Sequence, residues 1–445
     1  MKLLVFGIFS LFFSGFCHAA EADSTKARPN VLLIIADDLG YGDLSSYGAK
    51  DMQTPHIDKL ISESTRFDQF YANSCVCSPT RAALVSGRYP ELVGVPGVIR
   101  HYKSGNWGHL DPNSTMLPSI FQKSGYHTSL IGKWHLGLTQ ENLPNQRGFD
   151  EFHGWLGDMM DDYWKHKRSG QNYMRLNEEK IEPEGHATDL FTEWSIASIE
   201  RQAKAGKPWF QFLAYNAPHD PIQPPPEWLE KVKQREKGIS DKRAGLVALI
   251  EHMDDGIGKV LAALEKSGQT TNTIVVFTSD NGGALKFGAN NGPLRDGKGH
   301  FYEGGIKVPT SIRWPGRIPA AKTDFRAMTM DIIPTIADLC AVPIDLKIEG
   351  RSFKQQLLTG KEPAFERPEH FMWLEKTTKQ AMRMGDWKII RDDISSPAAL
   401  YHLKNDPLEA EDLAAKEPER LKQMTAAMDE HLAAAKLMPW QAPAK

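Results

Sequence analysis

Cys77-Ser78-Pro79-Thr80-Arg81, continuing through Ala82-Ala83-Leu84-Val85 to Ser86-Gly87-Arg88, is the stretch whose residue types and spacing are best placed to do chemistry. Its cysteine stands at a predicted helix start, two residues before a proline and four before an arginine. Pro79 suits a first turn, where a missing N–H costs nothing. The free N–H groups of that turn and the Arg81 guanidinium then face whatever residue 77 holds, and such a pocket favours an anion. A buried thiol beside a helix terminus is the alternative, and the pentapeptide by itself does not choose between them.

Asp37-Asp38 and Asp280-Asn281 offer only oxygen ligands. Such sets suit a hard cation, calcium or magnesium, over zinc. Each pair taken singly also reads as turn residues at a strand end. Together they would gather three carboxylates that repel without a cation between them. Lys133-Trp134-His135, His219 and Lys298 complete the candidate set. A solvated loop position, or packing around Trp134, is the plain alternative for these groups, and Arg295 competes with Lys298 for the basic role.

The elements that must position these groups share one layout. Asn30–Ala36 leads into Asp37-Asp38, His127–Ile131 into Gly132-Lys133-Trp134-His135, Trp209–Tyr215 into Asn216-Ala217-Pro218-His219, and Thr273–Thr278 into Ser279-Asp280-Asn281. Short β-branched and aromatic runs with little polar alternation read as strands buried on both faces. A helix is predicted over 241–266, with Leu246, Leu249, Ile250, Met253, Ile257, Val260, Leu261 and Leu264 at helical spacing. Alternating strands and helices predict an α/β fold, a large mostly parallel sheet sandwiched by helices. Ligands bind beyond the carboxyl ends of such strands, which is where all four polar groups fall.

The C-x-P-x-R pattern at residues 77–81, with Ser86-Gly87 shortly after, resembles the signature of the type I, formylglycine-dependent sulfatases of the alkaline phosphatase superfamily. The similarity runs from about Pro29 into the C-terminal region. It implies that Cys77 is oxidised after translation, by a formylglycine-generating maturation enzyme, to an aldehyde whose hydrate is the nucleophile. It further implies a calcium ion on Asp37, Asp38, Asp280, Asn281 and residue 77, with magnesium as the other fitting ion. Arg81 and Lys133 would hold the hydrate, His135 would be the base of the elimination step, and His219 the proton donor to the departing alcohol. Lys298 would face the sulfate. Asp296 stands where such proteins often have glycine, and His300-Phe301 replaces smaller residues, which reads as substrate tuning. A phosphate or phosphonate monoester hydrolase on the same scaffold, and a catalytically silent sugar-binding homologue, are the rival readings.

The 445 residues exceed one compact core, so one large domain plus a smaller one is expected. With 41% hydrophobic and 24% charged residues the composition is globular, and a net charge of −3 lacks the basic footprint of a nucleic-acid binder. Lys2, the apolar run to Phe16 and Cys17-His18-Ala19-Ala20 read as a secretory leader over 1–19. No later run approaches the roughly 20 residues of a membrane span. The expectation is a periplasmic or secreted protein. That context favours a sulfated polysaccharide or oligosaccharide substrate. The remaining cysteines, Cys75, Cys77 and Cys340, are too few for a disulfide scaffold, though Cys75 and Cys340 could pair. Residues 154–167, dense in aromatic and charged groups, offer stacking faces and hydroxyl acceptors for a sugar, or a packed loop with a solvated charge cluster. Arg100-His101-Tyr102-Lys103 is a second candidate wall. The catalytic α/β domain is expected over 20–365. Short strand-like runs at 370–374, 380–384, 387–390 and 400–403, then a helix over 418–436, predict a C-terminal α+β subdomain over 366–445 with an antiparallel sheet.

Overall fold

The computed structural model describes residues 28–102, 106–363, 370–376 and 378–435. The expected leader over 1–19, the expected domain boundary near 366 and Lys103 lie outside the described residues. The main sheet has ten strands. In chain order they are β1 (Asn30–Ala36), β2 (Thr65–Phe67), β3 (His127–Lys133), β4 (Glu151–Trp155), β5 (Met174–Leu176), β6 (Glu179–Lys180), β7 (Trp209–Ala214), β8 (Thr273–Ser279), β9 (Thr310–Arg313) and β10 (Ala321–Thr323). Their spatial order is β10-β2-β9-β8-β1-β7-β3-β4-β5-β6. The central run β8-β1-β7-β3-β4 is wholly parallel. Antiparallel pairs join β9 to β8 on one side and β5 to β4 on the other.

All seven residues of β1 are buried. Val31, Leu33 and Ile35 enter one apolar core while Leu32, Ile34 and Ala36 enter another, as the pleat of a strand covered on both faces demands. The first core is closed by α2 (Cys77–Ser86), α3 (Leu117–Lys123) and α6 (Ile332–Leu339), the second by α1 (Pro55–Ser62), α4 (Ala187–Ala205) and α5 (Asp241–Lys266). The bounds of α5 are those its apolar period predicts; Ser240 caps it, its side chain accepting a hydrogen bond from the Arg243 amide.

β3 runs two residues past the apolar stretch, because Gly132 lets it pack on β7: a side chain there would meet the Ala214 carbonyl at 2.0 Å. At the C-terminus, β11 (His370–Glu375), β12 (Lys379–Met384), β13 (Trp387–Arg391) and β14 (Ala399–His402) form the expected antiparallel sheet, followed by α7 (Pro418–Ala435). Its apolar face shares a core with Tyr71, Cys75, Phe301 and Met330, and the Trp373 indole donates to the Ala72 carbonyl at 2.8 Å. Cys75, Cys77 and Cys340 are buried and free.

Candidate active site

The carboxyl ends of β1, β3, β7 and β8 bring the singled-out polar residues to one edge of the sheet. Beyond β1, the Asp37 amide donates to the Ala217 carbonyl (3.0 Å) and the Asp38 amide to Asp280 Oδ1 (3.2 Å), so the turns after three strands are tied together. Asp38 sits at φ 69° and His135 at φ 62°. Such left-handed backbone is uncommon outside glycine and clusters at functional sites.

Buried charges are matched in pairs. Lys133 Nζ lies 2.5 Å from Asp37 Oδ2 with both side chains out of solvent. Arg81 reaches Asp280 Oδ2 through Nε (2.9 Å) and Nη2 (2.8 Å), and its Nη1 donates to the Lys133 carbonyl (3.1 Å). Lys298 Nζ lies 2.6 Å from Asp38 Oδ2 and 3.0 Å from His219 Nε2. Burial opposes the Lys298 charge, but the Asp38 carboxylate more than restores it and raises its pKa. The rival cation, Arg295, points away: its guanidinium donates to the Glu409 carbonyl and stacks on Tyr302.

Cys77 opens α2, whose ten residues are all buried. Burial pushes the thiol up, yet Lys133, His135 and Lys298 together hold it well below the ordinary thiol range. The pocket therefore favours negative charge at residue 77. His135 Nε2 faces the Ile99 carbonyl at 2.8 Å, and since a carbonyl only accepts, that nitrogen carries the proton. Nδ1 is left as the basic nitrogen; burial lowers the imidazole pKa, and the interaction with Cys77 works against that shift. His219 Nδ1 likewise donates to the Asp220 carbonyl at 2.7 Å. Burial and Lys298 work against a second proton on this ring, but Asp38 and Asp37 outweigh them and draw its pKa up to about 9.

Carboxylate oxygens of Asp37, Asp38 and Asp280 all lie within 4.8 Å of one another, as do ligand atoms of Asp37, Cys77 and His219. Asp37 Oδ1 and Asn281 Oδ1 are buried with no hydrogen bond. Burial first, then Asp37, pushes the Asp280 carboxyl well above its usual range. Orphaned oxygens and crowded carboxylates fit a hard divalent cation.

A cavity of about 270 Å³ opens over Cys77, His135, His219 and Lys298. Both stretches expected as walls reach it, but through Asp158 and Met159 of one and Arg100 of the other. The aromatic residues do not: Trp155 and Tyr163 are core, and the exposed Trp164 packs on His186. Tyr163 instead bridges the turn carrying His219, its hydroxyl lying 2.8 Å from the Asn216 carbonyl and 2.9 Å from that of His219. Sequence reasoning missed Lys286, Glu375, Lys376 and Lys379, which also line the cavity. The last three sit on the β11–β12 hairpin, where nothing in their spacing marks them out.

Fold and site together define an α/β enzyme that handles an anion at the carboxyl edge of its sheet. The chain belongs to the sulfatase family and is a sulfuric ester hydrolase: the Sulfatase family model matches residues 29–342, and a second, N-sulphoglucosamine sulphohydrolase C-terminal, matches 296–437. The N-acetylgalactosamine-6-sulfatase of Canis lupus familiaris is 30% identical over 383 residues, covering 81% of this chain and 71% of the relative. An arylsulfatase of Hemicentrotus pulcherrimus is 30% identical over 393 residues, covering 83% and 68%. Among solved structures, Ps i-CgsB in complex with k-i-k-neocarrahexaose superposes with a TM-score of 0.82 at 31% identity, covering 91% of this chain and 92% of that one.

Proposed function

We propose that the protein is an exported sulfatase that removes sulfate esters from a sulfated polysaccharide or oligosaccharide, with residue 77 carried as formylglycine after the action of a maturation enzyme. The observation that carries this reading is the cationic setting of Cys77 at a buried helix start, against an oxygen-only carboxylate cradle. The relatives that act on or bind sulfated sugars support the substrate class. The leader-like residues 1–19 support export, and no described helix is long and apolar enough to cross a membrane.

A formylglycine hydrate would supply the nucleophilic oxygen, and calcium or magnesium held by Asp37, Asp38, Asp280, Asn281 and residue 77 would supply positive charge for the sulfate oxygens. Arg81 and Lys133, fixed by Asp280 and Asp37, keep a positive potential at residue 77 at no reorganisation cost during reaction. His135 receives a proton at Nδ1, its other nitrogen being committed to Ile99. Lys298 holds sulfate oxygens, and His219 delivers a proton from Nε2 to the departing alkoxide.

The test is the mass of the peptide bearing residue 77 from protein co-expressed with a formylglycine-generating enzyme, alongside sulfate release from sulfated oligosaccharides. The expected peptide has lost two hydrogens and exchanged sulfur for oxygen. Cys77→Ala should fold with an unchanged melting temperature and release no sulfate. An active preparation that keeps the cysteine would overturn the assignment. A preference for 4-nitrophenyl phosphate over the sulfate would move the protein to phosphoryl esters.

A further inference from the structure

The cavity over residue 77 carries more positive charge than one sulfate ester requires. Beyond Lys298 its lining includes Arg100, Lys286, Lys376 and Lys379, set against Asp158, Asp220 and Glu375. These cations come from three unconnected stretches: the loop after α2, the loop after β8, and the β11–β12 hairpin. Two of them are answered by carboxylates, Arg100 Nη1 at 3.7 Å from Asp158 Oδ2 and Lys376 Nζ at 3.0 Å from Glu375 Oε1. The other two are not. Lys379 Nζ forms no ion pair with a carboxylate among the described residues; it donates to the Gly299 carbonyl at 2.8 Å, which anchors it one residue from Lys298. Lys286 Nζ lies 4.5 Å from the centroid of its neighbour Phe287 and forms no ion pair with a carboxylate among the described residues. Ammonium groups facing one small cavity repel each other, and the arrangement is relieved only when anionic charge enters.

Granting that residue 77 is the reacting centre, we infer that the cavity holds a second anionic substituent of the same sugar repeat against Lys379 and Lys286, so that the enzyme selects saccharides carrying more than one anionic group per repeat. The scissile sulfate is met by Lys298, His219 and the residues around Cys77. The second group, a neighbouring sulfate ester or a uronate carboxylate, completes the two lysines. Selection on this basis is a difference in affinity, strongest at low salt because both ammonium groups border solvent.

The experiment compares κ-carrageenan oligosaccharides (one sulfate per repeat), ι-carrageenan oligosaccharides (two per repeat) and chondroitin 6-sulfate oligosaccharides (one sulfate and one uronate). Each is measured with the wild type and with the Lys286→Met/Lys379→Met variant. Loss of kcat/KM in the variant should be at least tenfold greater on a doubly anionic substrate than on the κ-series, should lie in KM, and should shrink with added NaCl. Lys379→Arg, which keeps the charge, should recover most of it. A loss confined to the ι-series identifies a sulfate, and one confined to the chondroitin series a carboxylate. Equal loss on all three overturns the inference, as does a wild type that prefers the κ-series. Binding of the same oligosaccharides to Cys77→Ser, followed by calorimetry, separates this claim from the catalytic one. A tenfold weakening by the lysine substitutions there would stand even if sulfate release were absent, whereas unchanged binding would sink it.

Discussion

Tyr163 shows how a side chain outside the chemistry sets its geometry. Buried and close to the carbonyls of both Asn216 and His219, its hydroxyl fixes the turn that presents the imidazole. Tyr163→Phe removes the one hydroxyl proton these carbonyls share; Asn216 keeps the His219 amide as a donor (2.9 Å) while the buried His219 carbonyl loses its partner, so stability should fall by about 1–3 kcal/mol in denaturant titration. The accompanying loss of rate should fall on kcat more than on KM if the ring it steadies has its proposed role as proton donor to the leaving group. From the sequence this tyrosine reads either as a sugar-stacking face or as part of a packed loop, and the structure gives the second. Nothing in a single chain distinguishes an aromatic residue turned to solvent from one turned inward when the loop around it is equally polar. Asp37, Asp38, Arg81, Lys133, His135, His219, Asp280, Asn281 and Lys298, by contrast, were legible, because each follows a recognisable strand or motif and the fold brings them together around Cys77. Lys286 and Lys379 were not, since lone lysines in turns carry no pattern.

Among the elements, what the sequence disclosed were those with a long period or an unbroken apolar run: β1, β3, β7, β8, α5 and the four strands at the C-terminus. The outer strands β2, β5, β6, β9 and β10 span two to four residues each, too short for alternation to register. They are strands because a neighbour offers a hydrogen-bonding edge, which is tertiary information. The link after β8 shows how tightly such elements are set. A methyl group on Gly282 would meet the Gly304 carbonyl at 1.9 Å, a backbone atom with nowhere to go. Gly282→Ala should therefore displace Asn281 and cost about 1–3 kcal/mol or more. Added calcium should also raise the melting temperature less in the variant than in the wild type, since a displaced amide oxygen weakens the cradle.

For the whole molecule, the C-terminal sheet is bound to the rest by charge as well as by apolar contact. Lys388 Nζ lies 3.0 Å from Glu303 Oε1 and 2.8 Å from Glu409 Oε1, all out of solvent. Despite burial, Lys388 holds Glu303 down to about 2, while burial pushes Glu409 up. Lys388→Met would strand these carboxyls, and unfolding free energy should drop by about 3–5 kcal/mol. Acid should act through a different group. Burial first, then His252, keeps the His186 imidazole near pKa 4, whereas in an unfolded chain it takes a proton at about 6.5. Its contribution is complete above pH 6.5 and is lost as pH falls towards 4, so the melting temperature should decline over that window and His186→Gln should flatten the slope. The enclosure of α2 has a consequence in time. Its ten residues have no solvent-facing side, and the β11–β12 hairpin that walls the cavity leaves the ribosome roughly three hundred residues after Cys77. If residue 77 is converted as proposed, the enzyme that rebuilds that side chain would have to grip the segment as loose peptide, so its opportunity would begin at synthesis and close when the nascent polypeptide collapses.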